Sequence, residues 1–73
     1  MKSASQLKFG ETVVIKNIDS SHPSSRRILE LGFTPGQEIE LINSSIFNDP
    51  LAFSIRGTLI ALRRNEADCI KVE

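Results

Sequence analysis

The sequence predicts a mainly β domain: a small SH3-like barrel of about five short strands, with one short helix between the first two strands. Three observations predict it. Apolar and polar residues alternate over several short segments, glycine and proline separate those segments, and a single stretch has helical spacing. A flat sheet of this size would leave open edges and only one covered face. We therefore expect the strands to curl and bury their apolar faces together.

The first strand and the helix occupy the first half of the chain. The strand is expected over Glu11–Asp19, which is rich in β-branched residues. The helix is expected over Pro23–Leu31, because Ile28 and Leu31 are three positions apart on one face and proline is tolerated near a helix start. Gly32 follows as the residue that ends the helix, where a left-handed conformation is needed.

Turn residues define the second half of the chain. Thr34–Gln37 carries proline and glycine at its two central positions, which is typical of a type II turn. Gly57 and Thr58 are expected to form a type II′ hairpin turn. Arg64–Asp68 is expected to form a single helical turn. The remaining strands are expected at Gln37–Asn43, Leu51–Arg56, Thr58–Arg63 and Ile70–Val72.

Length favours a binding module over an enzyme. The chain has 73 residues, 40% of them apolar, which suffices for one small core with little surplus. We expect residues 1–6 to be a short leader and residues 7–73 to be a single domain. A domain of this size has little room for a large catalytic cleft. The sequence also contains no nucleophile at a spacing that would pair it with an acid or a base. We therefore expect no enzyme activity and no cofactor.

Charge and composition narrow the class of partner. Nine basic residues balance nine acidic ones, and tyrosine and tryptophan are absent, which argues against nucleic-acid binding. The longest apolar run is Leu59–Leu62, far shorter than a membrane span, so we expect no membrane insertion. The first six residues lack the apolar core of a signal peptide. Cys69 is the single cysteine, which excludes an internal disulfide and fits a reducing, cytoplasmic setting.

Four blocks of residues, in order, resemble a known family. Arg26–Gly36 reads R-R-I-L-E-L-G-F-T-P-G and resembles the R-x-L-x-x-L-G-hydrophobic-x-P-G signature of the ferrous iron transport protein A (FeoA) family. Asn48–Pro50 resembles the family's G-D-P. Ile60–Val72 resembles its I-A-L-R…E-A…I-x-V ending, and Gly10 with the following strand fits its beginning. The resemblance covers Leu7 to Glu73.

The resemblance implies a fold and a function. It implies an SH3-like barrel that acts in the cytoplasm as a small accessory of ferrous iron uptake, with the membrane GTPase-permease FeoB as its partner. The same fold closes some iron-dependent repressors, so a free-standing metal-sensing or interaction domain is the alternative function. Pairing of open sheet edges between copies, giving a homo-oligomer, is also left open. Asn48 departs from the family's usual glycine, but asparagine is the residue other than glycine that best tolerates positive φ, so the same turn can form.

The loop of Ile46, Phe47, Asn48, Asp49 and Pro50 is the first candidate for partner binding. Its two apolar residues lie in a turn-rich connection, and the loops of small barrels commonly carry partner contacts. In one interpretation this loop contacts FeoB or a second copy. In the other, its apolar residues fold back and close the end of the barrel.

The outer face of the predicted helix is the second candidate. Arg26 and Arg27 lie there, and Arg26 is spaced to pair with Glu30. The functional interpretation is that both arginines meet an acidic patch on the partner; the alternative is an ordinary solvated face. No metal site is expected, because His22 and Cys69 are far apart and lack ligand spacing.

Overall fold

The computed structural model describes residues 2–44 and 49–73. Six strands, two short α-helices and one 3₁₀ helix make up this part of the chain. In order they are β1 (Lys2–Ser3), the 3₁₀ helix (Ala4–Gln6), β2 (Thr12–Ile18), α1 (Ser25–Glu30), β3 (Glu38–Ser44), β4 (Leu51–Ile55), β5 (Thr58–Leu62), α2 (Arg64–Ala67) and β6 (Ile70–Val72). The prediction of a mainly β fold with one short helix between the first two long strands is confirmed.

All strand pairs are antiparallel, in the order β1-β6-β2-β3-β4-β5. The central strand β2 belongs to both halves of the sheet. It pairs with β3 through Thr12–Val14 and with β6 from Ile15 onward, with a register shift between Ile15 and Asn17. A shift of this kind bends a strand, so β2 passes from one half of the sheet to the other.

One core fills the space between the two halves. Ile39, Phe53 and Ile70 come from three different strands, and each is at most 1% exposed. The helices are too short to cover a flat sheet, so burial this complete requires the sheet to curl around the core, although its end strands β1 and β5 do not pair with each other. The buried apolar residues form a single cluster, which includes Ala4, Leu7, Ile15, Ile28, Phe33, Leu41, Leu51, Ile55, Leu62, Ala67, Cys69 and Val72.

The end of α1 matches the prediction at Gly32. Gly32 has φ +107, and its N–H donates to the carbonyl of Leu29. The N–H of Phe33 donates to the carbonyl of Ile28 at 3.2 Å, which completes a Schellman motif. Phe33 and Ile28 are both fully buried, and the Phe33 ring meets Phe53 edge-to-face at 6.3 Å. The motif that ends α1 thereby holds the Phe33 side chain in the core.

The start of α1 lies two residues later than predicted. The chain from Asp19 to Ser24 forms its own turns, in which the Asp19 carboxylate accepts the N–H of Ser21 and the His22 ring accepts the N–H of Ser24. These local hydrogen bonds compete with helix formation. Pro23 therefore precedes α1 instead of beginning it.

One predicted turn is confirmed and another is wrong by one residue. The N–H of Gln37 donates to the carbonyl of Thr34, and Gly36 has φ +91, as the type II turn requires. The hairpin turn between β4 and β5 is formed by Arg56 and Gly57, not by Gly57 and Thr58. Both have positive φ, at 50° and 77°, which is the type I′ pattern. Thr58 pairs with Ile55 in the β4–β5 ladder, so the turn consists of the two residues between them.

The segment treated as a leader in the sequence analysis packs against the barrel. Lys2 and Ser3 pair with Val72 and Lys71 of β6. Ala4 is fully buried, and Ser5 is 5% exposed. Residues 2–5 therefore pack against the rest of the described chain. A two-residue strand carries no alternation, which is why the sequence pattern does not indicate it.

Candidate interaction surface

The short helix α2 contacts a residue from each of the two surfaces predicted from the sequence. At its start, the Asp49 Oδ1 atom accepts the backbone N–H of Arg64 at 2.9 Å. The first N–H groups of a helix have no partner within the helix, so this contact satisfies one of them. On its other side, Arg27 Nη1 donates to Glu66 Oε2. The end of the predicted loop and the predicted helix face are thus both attached to α2.

Glu66 is the central group of this arrangement. Its Oε1 atom accepts the N–H of Arg63 at 2.9 Å, while its other oxygen accepts from Arg27. The Glu66 side chain is 15% exposed, whereas that of Arg27 is 55% exposed. The carboxylate is therefore oriented by α2 itself, and Arg27 attaches α1 to an acceptor that is already in place.

The two arginines of α1 have different surroundings. Arg27 is engaged with Glu66, as above. Arg26 is exposed, and within residues 2–44 and 49–73 it forms no ion pair with Glu30 or with any other carboxylate. Leu29 lies on the same helix and is 43% exposed. The accessible part of α1 is thus a cation and an apolar side chain, with Glu30 also exposed to solvent.

The predicted loop is only partly within the described residues. Ile46, Phe47 and Asn48 lie outside them. Asp49 is half-buried and contacts α2, while Pro50 is exposed and follows a cis peptide bond. The choice between a partner contact and a closed barrel end for this loop stays a prediction.

A polar network at the beginning of the chain was not predicted. Ser3 and Ser5 share a hydrogen bond between their hydroxyl groups at 2.7 Å, and the Ser5 hydroxyl donates to the Asp68 carboxylate. Arg64 Nη1 donates to the carbonyl of Ser5 at 2.5 Å. This network fastens the 3₁₀ helix to α2. Ser5 gave no signal in the sequence because its partners Arg64 and Asp68 are about sixty positions away.

Two exposed apolar residues were also missed. Phe9 is 77% exposed at the tip of a tight turn, in which the N–H of Glu11 donates to the carbonyl of Lys8. Leu59 is 65% exposed on the outward face of β5. For Phe9 the available signal was an aromatic residue directly before a turn glycine. For Leu59, an apolar run without alternation gave no indication of its outward face.

The outer face of β3 carries a shallow polar groove. Glu40 pairs with Thr12 of β2 and Ser54 of β4, and Glu38 and Arg56 also line the groove. Most of the residues that line this open surface are polar or charged. Such a face suits water and small ions better than an enclosed ligand, since binding pockets are concave and mostly apolar.

His22 and Cys69 are the two soft metal ligands considered from the sequence. His22 Nδ1 accepts the N–H of Ser24, and Cys69 is fully buried. Burial raises the pKa of the Cys69 thiol, which disfavours the thiolate that a metal would need. Among the described residues no three His, Cys, Asp or Glu side chains are grouped as a metal site. The same part of the chain contains no helix with the length and apolar character to cross a membrane.

Comparison with known proteins identifies the family. Residues 2–73 match the FeoA domain. The Fe(2+) transport protein A/Fe(2+) transporter FeoB fusion protein of Porphyromonas gingivalis is 33% identical over 69 residues, which is 94% of this chain and 8% of the fusion protein. The chain therefore spans less than a tenth of that relative's length.

Two solved structures share the fold. The solution structure of iron(II) transport protein A from Clostridium thermocellum is 35% identical, with a TM-score of 0.89 over 99% of this chain and 44% of that one. The crystal structure of FeoA from Stenotrophomonas maltophilia complexed with zinc is 27% identical, with a TM-score of 0.88 over 100% of this chain and 91% of that one. That protein is described as a prokaryotic SH3 domain protein, which confirms the predicted SH3-like fold. With its match extending from residue 2 to residue 73, the chain belongs to the FeoA family.

Proposed function

We propose that this protein is a cytoplasmic accessory of ferrous iron uptake that binds the transporter FeoB and modulates or assembles it. One observation carries the proposal: a relative joins a domain 33% identical to this chain and an Fe(2+) transporter FeoB in a single polypeptide. A covalent link holds two domains at high effective concentration. Without such a link, the same domain would have to reach its partner through a binding surface.

The physical character of the domain agrees with a binding role. Most of its large apolar side chains pack in one core, and burial raises the pKa of the Cys69 thiol and keeps that thiol protonated and inaccessible. What the domain offers to other molecules is therefore its surface. Balanced charge, nine basic against nine acidic residues, favours a protein partner over nucleic acid.

We place one contact on the surface around α2. Asp49, at the end of the predicted loop, and Arg27 of α1 both contact α2. Arg26 and Leu29 present a charge and an apolar side chain there. An acidic patch of FeoB with an apolar contact beside it would be complementary to this surface.

The direct test is a binding titration against purified FeoB from the same organism, both full-length and as its isolated cytoplasmic domain. GTP turnover is read in the same samples, because the family resemblance implies a GTPase. Binding with altered turnover supports a modulator, and binding to full-length FeoB with unchanged turnover supports an assembly role. Absence of binding to either form overturns the proposal.

A charge variant tests the surface itself. Arg26→Glu is expected to weaken binding to FeoB without changing the melting temperature, because Arg26 makes no ion pair within the described chain. Lys16→Glu is the matched control, because it is also a charge reversal of an exposed basic residue but lies on β2 instead of α1. Equal affinities of the two variants for FeoB would show that α1 is not part of the interface.

A further inference from the structure

The strand β5 is an edge of the sheet without the usual protection. In the sheet order it is the last strand, pairing with β4 alone over five consecutive residue pairs in regular register. An edge strand directs a row of N–H and C=O groups away from its neighbour. Among the described residues no further backbone partner is found for Thr58–Leu62. This edge is therefore available to an added strand.

Natural proteins normally guard such an edge with charges, proline, a bulge or a very short strand. The opposite edge of this sheet follows that rule, since β1 has two residues and one of them is Lys2. In contrast, β5 reads T-L-I-A-L, has no charge, no proline and no bulge, and presents Leu59 at 65% exposure. The contrast between the two edges indicates that β5 is kept open for pairing.

Charge at the two ends of β5 restricts the occupant. Arg56 precedes the strand and Arg63 follows it, and both are exposed. Pairing of β5 with β5 of a second copy would be antiparallel and would bring the Arg56 end of one strand to the Arg63 end of the other. Like charges placed opposite one another destabilise strand pairs, so a second copy is disfavoured. A strand with acidic residues near its ends would be complementary.

We propose that β5 receives an extended segment of FeoB as an added strand, with an apolar side chain of that segment packed on Leu59 and carboxylates near Arg56 and Arg63. This inference rests on the proposed function, because FeoB is taken as the partner. It adds the mode of recognition: main-chain hydrogen bonds supply affinity, and side chains of alternate residues supply specificity. Contacts through α1 and through β5 are separate and can be tested separately.

The first test compares two substitutions of an exposed apolar residue by lysine on the outer face of the sheet. Leu59→Lys places a guarding charge on the open edge, and we expect its affinity for full-length FeoB to fall by about 10-fold or more. Val14→Lys is the matched control, because Val14 is exposed on β2, a strand that is paired on both sides. We expect its affinity to stay within about 2-fold of the unmodified protein.

The second test reads the pairing directly. Overlapping synthetic peptides that cover the cytoplasmic segments of FeoB are added to the ¹⁵N-labelled protein, and amide hydrogen exchange is followed by NMR. A peptide that adds a strand is expected to slow the exchange of alternate β5 amides by about 10-fold or more, whereas a side-chain contact alone would not. The peptide that binds is expected to contain apolar residues between acidic ones.

The outcomes separate this inference from the proposed function. Binding of FeoB that is equal for Leu59→Lys and Val14→Lys, without new protection in β5, overturns the inference and leaves the proposed function standing. Failure of the unmodified protein to bind FeoB overturns both. Self-association without FeoB is measured by sedimentation. If the unmodified protein self-associates and Leu59→Lys does not, β5 pairs with a second copy and the inference is overturned.

Discussion

The guanidinium group of Arg56 lies against the α-carbon of Gly32, so the turn between β4 and β5 covers the end of α1. A Cβ added to Gly32 would overlap Arg56 Nη2 and approach Cζ to 3.2 Å. Gly32 also has φ +107, a backbone conformation that residues with a side chain rarely adopt. Gly32→Ala is therefore expected to lower the free energy of unfolding by about 1–3 kcal/mol, measured by urea denaturation.

Gly36 provides the control for this prediction. It has φ +91, and a Cβ added there would have no neighbouring atom within 4 Å, so Gly36→Ala carries backbone strain without steric conflict. Arg56 is exposed and its guanidinium group is the far end of a flexible side chain, so it can move away from a new Cβ. The cost of Gly32→Ala should therefore be close to that of Gly36→Ala. A cost of Gly32→Ala that is clearly larger, and that falls to the Gly36→Ala value in an Arg56→Ala background, would show instead that the guanidinium group is held in place.

Asp49 is expected to stabilise α2 from a distance of fifteen residues. Its Oδ1 atom accepts the N–H of Arg64, in the manner of a helix cap supplied by another part of the chain. Asp49→Ala should lower the free energy of unfolding by about 1–2 kcal/mol, the usual cost of losing a cap. Asp49→Asn keeps an oxygen acceptor and should lose less. Equal losses in urea denaturation of the two variants would show that the hydrogen bond is not the cause.

The contact between Arg27 and Glu66 calls for a double-mutant cycle. Arg27→Ala is expected to cost at most about 1 kcal/mol, because the arginine is more than half exposed. Glu66→Ala should cost about 1–2 kcal/mol, because it also removes the acceptor for the N–H of Arg63. We expect a coupling energy of about 0.2–1 kcal/mol that decreases with added salt. A larger loss for Arg27→Ala than for Glu66→Ala would contradict this ranking.

Local patterns predicted most of the fold. The alternation in β3 and β4, the glycine that ends α1 and the turn at Thr34–Gln37 are each encoded within a few residues, and the structure has all of them. The hairpin turn was misplaced because a glycine at the first or second central position fits two turn types. Only the pairing of Ile55 with Thr58 distinguishes them.

Features that depend on distant partners could not be predicted in the same way. β1 exists because β6 supplies its ladder, and Ser5 is buried because Asp68 and Arg64 contact it. The candidate surface likewise combines features that are encoded locally with features that depend on distant residues. Arg26 and Arg27 were identified from helix spacing, but their different surroundings depend on Glu66, which is thirty-nine residues from Arg27.

Removal of residues 1–6 is expected to destabilise the domain. The segment contributes the β1 pairing, the fully buried Ala4 and the acceptor for Arg64 Nη1. Loss of these contacts should lower the free energy of unfolding by about 2 kcal/mol or more, measured by urea denaturation. Lys8→Ala is a suitable control, because its side chain is exposed and no hydrogen bond of that side chain is found in the described part of the chain. A truncated protein as stable as the full chain would show that the segment is dispensable.

The ion pair between Lys2 and Glu11 makes part of the stability depend on pH. Lys2 Nζ donates to Glu11 Oε2 at 2.6 Å. This hydrogen bond, followed by one from the N–H of Lys8, holds the pKa of Glu11 below its ordinary value of 4.5. Because the folded carboxyl has the lower pKa, its contribution is present above the pKa of the unfolded chain and is lost as pH falls through the folded value.

Glu11→Gln is therefore expected to be less stable than the unmodified protein near neutral pH, with a difference that shrinks as pH falls below 4.5. Urea denaturation at a series of pH values measures that difference. Glu30→Gln is the control, since Glu30 is exposed and forms no ion pair within the described residues, and its difference from the unmodified protein should be small throughout. If the stability difference between Glu11→Gln and the unmodified protein stays constant down to low pH, the amide has lost packing or hydrogen-bond geometry. The charge of Glu11 would then contribute nothing to the free energy of unfolding.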